Sequence, residues 1–333
     1  MSDQVNYQNL IDWCQRTALV SSIGSVLSWD QETYMPKQAI GHRAKQVAWI
    51  AEYVHQQWLD NDFRILLRNC VDLESGEVTV ASLSFEQQRN CEEIYKDWYK
   101  KSKIPAAVVS AYSKLVSEST NVWQEALKTN NYTLFEPYLS QLIDQTNQMV
   151  EYRDSGKAVY DVLLDDYEPG LTARQTKQIF EQLKTFCLPM LKTIQQKNSD
   201  FKTLVGDFDQ ARQWDWSVDV LKKMHFNFSA GRQDQSTHPF TIDIHPSDVR
   251  LTTRINKKSF FEVITSTVHE GGHGLYEQGL NKELYGTPLG QSVSLGVHES
   301  QSRLWENHVC KSREFWVGEF SNLQRYFPGK LEG

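Results

Sequence analysis

No stretch of this 333-residue sequence approaches the 20 or so consecutive apolar residues that a helix needs to cross a bilayer, so a membrane is not an expected partner. Basic excess is also missing. Lys and Arg total 35 against 42 Asp and Glu, giving a net charge of −7, and nucleic acid, which favours a basic face, is not an expected partner. Cysteine is scarce. Cys14, Cys70, Cys91, Cys187 and Cys310 are odd in number, widely spaced and form no CxxC pair. They read as reduced, buried thiols in a reducing compartment, neither a disulfide framework nor a cysteine metal site. The N-terminus lacks the basic region and apolar run of a secretory signal, so a cytoplasmic location is expected. No internal repeat, low-complexity tract or Gly/Ser-rich linker interrupts the chain, and residues 1–333 read as one domain.

What the sequence does contain is helical periodicity. Residues 5–30, 38–70, 80–101, 105–130, 135–160 and 172–197 repeat apolar positions at helical spacing with charged outer faces. Tyr152 to Tyr167 reads as a helix running out into a loop. The fold class is therefore mainly α.

The densest chemical signal is His269-Glu270-Gly271-Gly272-His273. A helix turns once in about 3.6 residues, so histidines four apart stack on one face, where a single ion can take both. Glu270 follows the first histidine, the HExxH arrangement of zinc hydrolases. Ser259 and Glu262 read as a capping box opening this helix. Phe261, Ile264, Val268 and Leu275 then form its packed side, and the helix should end near Gly279. Two interior glycines each cost up to about 1 kcal/mol relative to alanine, which implies close approach by another backbone or by a substrate.

A catalytic zinc site takes three protein ligands and leaves a position for water. The third is expected from a second helix over Leu295 to Asn307, after a loop through Gly286, Pro288 and Gly290. Glu299 and His298 are both chemically suitable, and spacing alone does not separate them. Only one of two neighbouring helical residues can face the ion. Glu299 is preferred, with His298 as a hydrogen-bonding partner. On this reading the metal ligands are His269, His273 and Glu299, and Glu270 is the general base. Imidazole and carboxylate together suit Zn2+ without excluding Co2+ or Mn2+.

Residues 238–254 depart from helix. Phe240, Ile242 and Ile244 alternate with polar residues, as do Val249 and Leu251, with His245-Pro246-Ser247-Asp248 supplying a turn. This pattern is a β-hairpin. Its edge could bind an extended peptide by strand addition, or it could simply cover the core. Asp248 and Arg250 share a face and could form an ion pair. Alternatively, Arg250 could hold a substrate carboxylate. His238 could donate to a developing oxyanion.

Several further segments carry a resemblance. Trp29-Asp30-Gln31-Glu32-Thr33-Tyr34-Met35-Pro36 is followed by Gly41, Arg43 and Gln46. Then come Leu163 to Gly170 (LLDDYEPG), His238-Pro239-Phe240, Asp248-Val249-Arg250-Leu251-Thr252, HEGGH with Gly274 to Gly279, and His298 to Asn307 (HESQSRLWEN). In this order the chain resembles the carboxypeptidase Taq family of metallocarboxypeptidases.

The resemblance implies a two-lobed helical zinc-peptidase architecture around a cleft, with a small hairpin or sheet beside the zinc helix. It implies release of single residues from peptide C-termini with broad side-chain tolerance, and a homodimer. The family pattern continues past Gly333 with an arginine associated with the substrate carboxylate, a QD-HW motif and cleft tyrosines, so the chain reads as lacking the C-terminal part of the family domain. Three functions are open: an active carboxypeptidase, a metal-binding but catalytically incomplete fragment, and a helical scaffold in which HEGGH is a relic.

Overall fold

The computed structural model describes residues 2–197 and 206–331. The first long helix, α1 (Asp3–Thr33), is followed by α2 (Ile40–Leu59) and α3 (Asn61–Arg68). The single helix expected over 38–70 is thus two. Asp60 divides them by adopting an extended conformation and accepting the Asp62 amide at 2.8 Å as the cap of α3. Next come α4 (Phe85–Lys101), α5 (Ala106–Thr129) and α6 (Glu136–Asp154). Ser84 and Gln87 form a reciprocal capping box on α4.

After Asp154 the chain turns at Ser155 and Gly156 and then forms α7 (Val159–Tyr167), where the sequence reading placed a loop. The turn residues hid a short helix that follows them at once. Helix α8 (Ala173–Gln196) starts from a second capping box, Thr172 with Gln175. It buries no residue, and Ile179, Phe180, Leu183 and Phe186 are all at least half exposed. Cys187 on this helix is exposed, a correction to the expectation of five buried thiols; the other four are buried.

Helix α9 (Gln210–Lys223) leads into three strands, β1 (Gly231–Gln235), β2 (Thr241–His245) and β3 (Asp248–Thr253). β2 and β3 are the expected hairpin, with Thr241 opposite Leu251 and Ile242 opposite Arg250. β1 adds to β3 in parallel, giving the order β1-β3-β2 with β2 at an edge. The sequence Gly-Arg-Gln-Asp-Gln hides this strand because its buried members are polar. Gln233 donates to Ser217 at 2.7 Å, and Asp234 is held by Arg232 and Tyr34.

Helices α10 (Phe260–Gln278), α11 (Leu295–Arg303) and α12 (Arg313–Tyr326) complete the chain, with a π-helical segment Leu304–Cys310 between the last two. Two separate cores form. One packs α1 against α3 and α4 through Leu10, Phe63, Leu67 and Ile94. The other joins α9, the sheet, α10 and α12 through Trp216, Leu251, Phe260 and Leu323. The mainly helical class with a small sheet beside the HEGGH helix is therefore what the chain adopts.

Candidate metal centre

Ser259 immediately precedes helix α10, but no capping box forms there. Glu262 is drawn instead to Asn256 Nδ2 at 2.8 Å and towards Arg254 at 3.4 Å. Phe260, not Phe261, enters the core; Phe261 is 58% exposed. Ile264 and Val268 are buried as their spacing implies, and the helix ends at Gly279.

The interior glycines are there for proximity. A Cβ on Gly271 would lie 2.6 Å from Leu221, and one on Gly274 would lie 2.8 Å from Leu251. On Gly272 it would meet backbone, at 2.7 Å from Ser302 Cα and 2.8 Å from Gln301 O. Gly272 therefore lets α10 and α11 touch main chain to main chain, beside His273 on one helix and one turn from Glu299 on the other.

That contact gathers the expected donors. The two imidazoles lie 4.9 Å apart at 82°. Glu299 Oε2 is 3.3 Å from His273 Nε2 and 3.7 Å from His269 Nε2, and ligand atoms of all three residues lie within 4.8 Å of one another. Donors about 2.0–2.1 Å from one tetrahedral ion would themselves be about 3.3 Å apart, so the set fits a divalent ion. Glu299 Oε1 accepts from Arg303 Nε at 2.7 Å, leaving Oε2 turned to the histidines. Burial opposes ionisation of Glu299, but Arg303 and the neighbouring histidines outweigh it and hold the carboxyl below its usual range.

His298 turns elsewhere. Its Nε2 lies 2.8 Å from Glu277 Oε1, and its ring stacks on His273 at 4.4 Å. The donor cluster is made with Glu299.

The surroundings of the donors were not legible beforehand. Glu306 Oε2 lies 2.9 Å from His269 Nδ1, where it can fix the tautomer that leaves Nε2 free. Arg303 and Lys311 pair with the same carboxylate at 3.0 and 2.8 Å. The available signals were its place within the HESQSRLWEN segment and its spacing, seven residues after Glu299, about two helical turns. His273 Nδ1 is buried without a hydrogen-bond partner among the described residues. Burial, then the nearby His298 and His269, holds the His273 imidazole down to about 4, so it is neutral at pH 7 as a ligand must be.

Glu270 is 6% exposed, and Thr241 on β2 donates to its Oε2 at 2.7 Å. Burial raises its carboxyl above the usual range, with the Thr241 bond acting against the rise. Neither candidate substrate residue joins the donor cluster. Arg250 forms a two-pronged pair with Asp248, both contacts at 2.8 Å, and lies 4.4 Å above the Trp29 ring. His238 is exposed between β1 and β2. A cavity of about 470 Å³ is lined by Asp243, Glu277, Tyr285 and Ser22 among others.

Two histidines one helical turn apart, a facing carboxylate and an intervening buried glutamate make up the site of a metallopeptidase-type protein. Residues 9–333 match the family described as "Carboxypeptidase Taq (M32) metallopeptidase", and the chain belongs to that family. It is 35% identical to "Thermostable carboxypeptidase 1" of Thermus thermophilus, an alignment covering all of this chain and 65% of the relative. The M32 carboxypeptidase from Deinococcus radiodurans superposes with a TM-score of 0.85 at 34% identity, covering 98% of this chain and 65% of that one. The BsuCP crystal structure superposes with a TM-score of 0.93 at 29% identity, with the same coverage. The chain thus spans slightly less than two thirds of the length of these relatives. Membership of a metallopeptidase family implies a metal cofactor.

Proposed function

We propose that this chain carries the metal centre and general base of a metallocarboxypeptidase that releases single residues from peptide C-termini with broad specificity. The observation carrying the proposal is the convergence of His269, His273 and Glu299 within 4.8 Å, with Glu306 bonded behind His269. Zn2+ is the proposed ion, since two imidazoles and a carboxylate suit it; Co2+ or Mn2+ would also fit the donor set. Bound there, the ion would supply Lewis acidity towards water and the scissile carbonyl. Glu270 takes a proton from the attacking water and passes it to the leaving amine. Its raised carboxyl range suits both halves of that task. Glu306 keeps His269 in the tautomer that presents Nε2.

Peptide substrate lies along the edge strand β2, whose outer side pairs with no other strand among the described residues. A structure with bound peptide that left β2 untouched would sink this part. His238 is proposed as a hydrogen-bond donor to substrate. Arg250, already neutralised by Asp248, stiffens the sheet behind β2 in preference to gripping a carboxylate. Residues 1–333 work as one domain, the protein is a cytoplasmic homodimer, and nucleic acid is not a partner, in keeping with the net charge of −7.

The test is elemental analysis of the purified chain alongside release of the C-terminal residue from a blocked dipeptide. One bound ion with turnover supports the full reading. One ion without turnover assigns the metal centre to these residues and the completion of the substrate site to others. No ion after adding zinc refutes the ligand assignment.

A further inference from the structure

Glu270 holds no ligand position and sits at the edge of the cluster, so something else must fix where its carboxylate points. A glutamate side chain has three rotatable bonds, and a general base that wanders between rotamers loses much of its effect. Misplacement by about 1 Å can cost about 100-fold in rate.

Thr241 meets the carboxylate from outside the helix. Its Oγ1 is 2.7 Å from Glu270 Oε2 and 3.2 Å from the Glu270 backbone oxygen. A hydroxyl has a single proton, and the shorter distance assigns it to Oε2. One carboxylate oxygen is then tied, and Oε1 is left to accept a proton from water. Thr241 is itself well anchored. It opposes the fully buried Leu251 in β3, and the preceding Phe240 exchanges bonds with Thr252 on both its amide and its carbonyl. A rigid strand is a better platform for such a group than a loop.

We infer that Thr241 is the positioning residue for Glu270, presenting one oxygen of the base while occupying the other. This rests on the reading of Glu270 as general base. It adds a link between the two structural parts of the site: the strand proposed to receive the peptide also aims the base.

The test compares Thr241→Val, which keeps shape and removes the hydroxyl, with Thr241→Ser, which keeps the hydroxyl. Both are studied as the zinc-loaded full chain. The valine variant should retain zinc and KM while kcat falls about 10- to 100-fold, the range of a lost hydrogen bond to a charged group. The serine variant should stay close to the parent. A crystal structure of zinc-loaded Thr241→Val should show the Glu270 carboxylate displaced from its parent position. That reading needs no turnover, so it decides the matter even if the chain hydrolyses no peptide. If the valine variant misfolds, Thr241→Ala supplies the same measurements. Glu270→Gln is run in parallel. Undiminished turnover there removes the general-base reading, while the position of Glu270 in the valine variant still reports on Thr241. An unmoved carboxylate in Thr241→Val overturns the inference. So does a raised KM at unchanged kcat, which would assign Thr241 to substrate pairing alone.

Discussion

Replacing Gly272 by alanine tests whether main-chain contact between α10 and α11 builds the metal centre. The new methyl would lie 2.7 Å from Ser302 Cα, 2.8 Å from Gln301 O and 3.1 Å from Ser302 N. Ordinary contact begins at 3.4 Å, so the two shortest approaches fall about 0.7 and 0.6 Å short. All three neighbours are backbone and cannot rotate away, which means the helices must part by roughly that amount. Alanine favours the helix by up to about 1 kcal/mol. Overpacking costs about 1–3 kcal/mol, so the net change should be a loss of up to about 2 kcal/mol. The larger effect falls on the ion. A shift of about 0.7 Å in Glu299 relative to His273 is a large fraction of a metal–ligand bond of about 2 Å. We expect zinc affinity, measured by chelator competition, to drop at least about 10-fold, comparable to disturbing a ligand's supporting partner. Gly318→Ala on α12 is the control, since its Cβ meets nothing within 4 Å and should be neutral or slightly stabilising. If Gly272→Ala gains stability and binds zinc like the parent, the contact does not set the ligand geometry and the argument fails.

Other perturbations reach different parts of the site. Glu306→Gln leaves all three ligands in place but weakens the hold on His269 Nδ1, and zinc affinity should fall about 10- to 100-fold in the same competition assay. Glu270→Gln should keep one equivalent of zinc and lose turnover about 100-fold or more; full activity in the metal-replete variant would refute its role as base. In the metal-free protein, burial lowers the His273 imidazole from 6.5 to about 4. The unfolded chain therefore binds this proton first as the pH drops. The associated stability is fully present above 6.5 and is lost as pH falls towards about 4. Denaturant unfolding should show this slope in the parent and a shallower one in His273→Asn; equal slopes would contradict it. A thiol reagent should modify Cys187 rapidly in the native protein, with Cys14, Cys70, Cys91 and Cys310 reacting only on unfolding.

The pairing of His269 with His273 was readable because it depends on local periodicity. Two histidines four apart share a face in any helix, and α10 runs unbroken from Phe260 to Gln278. The hairpin was readable for the same kind of reason, a period of two over Phe240 to Thr252. What stayed hidden depends on side-chain contacts that no periodicity marks. Glu262 had a capping-box spacing, yet Asn256 and Arg254 compete for it more effectively. β1 breaks the apolar pattern because Gln233 and Asp234 are satisfied by Ser217, Arg232 and Tyr34, none of which is a neighbour on the opposing strand. Thr241 carries no motif of its own, and Glu306 lies within HESQSRLWEN without a spacing that assigns it a role. Each matters only because the fold brings it to His269 or Glu270. Arg250 shows the converse, a residue type suited to substrate that is already engaged by Asp248 and Trp29.

The π-helical turn that carries Glu306 has a bearing on how this site tolerates changes in chain length. Such a turn holds one more residue than an α-helical one, and it lies between Leu304 and Cys310, just after the helix that bears Glu299. Removing a single residue there would delete no ligand and could leave the helix longer and more regular. It would also swing every later side chain by about 100° about the helix axis. A deletion ahead of Glu306 would carry it away from His269, and one after it would carry Lys311 away from Glu306. The surplus residue works as a spacer that sets the phase between the helix bearing Glu299 and the turn bearing Glu306. Shortened forms of this segment should be scarcer among functional sequences than point substitutions at its exposed positions.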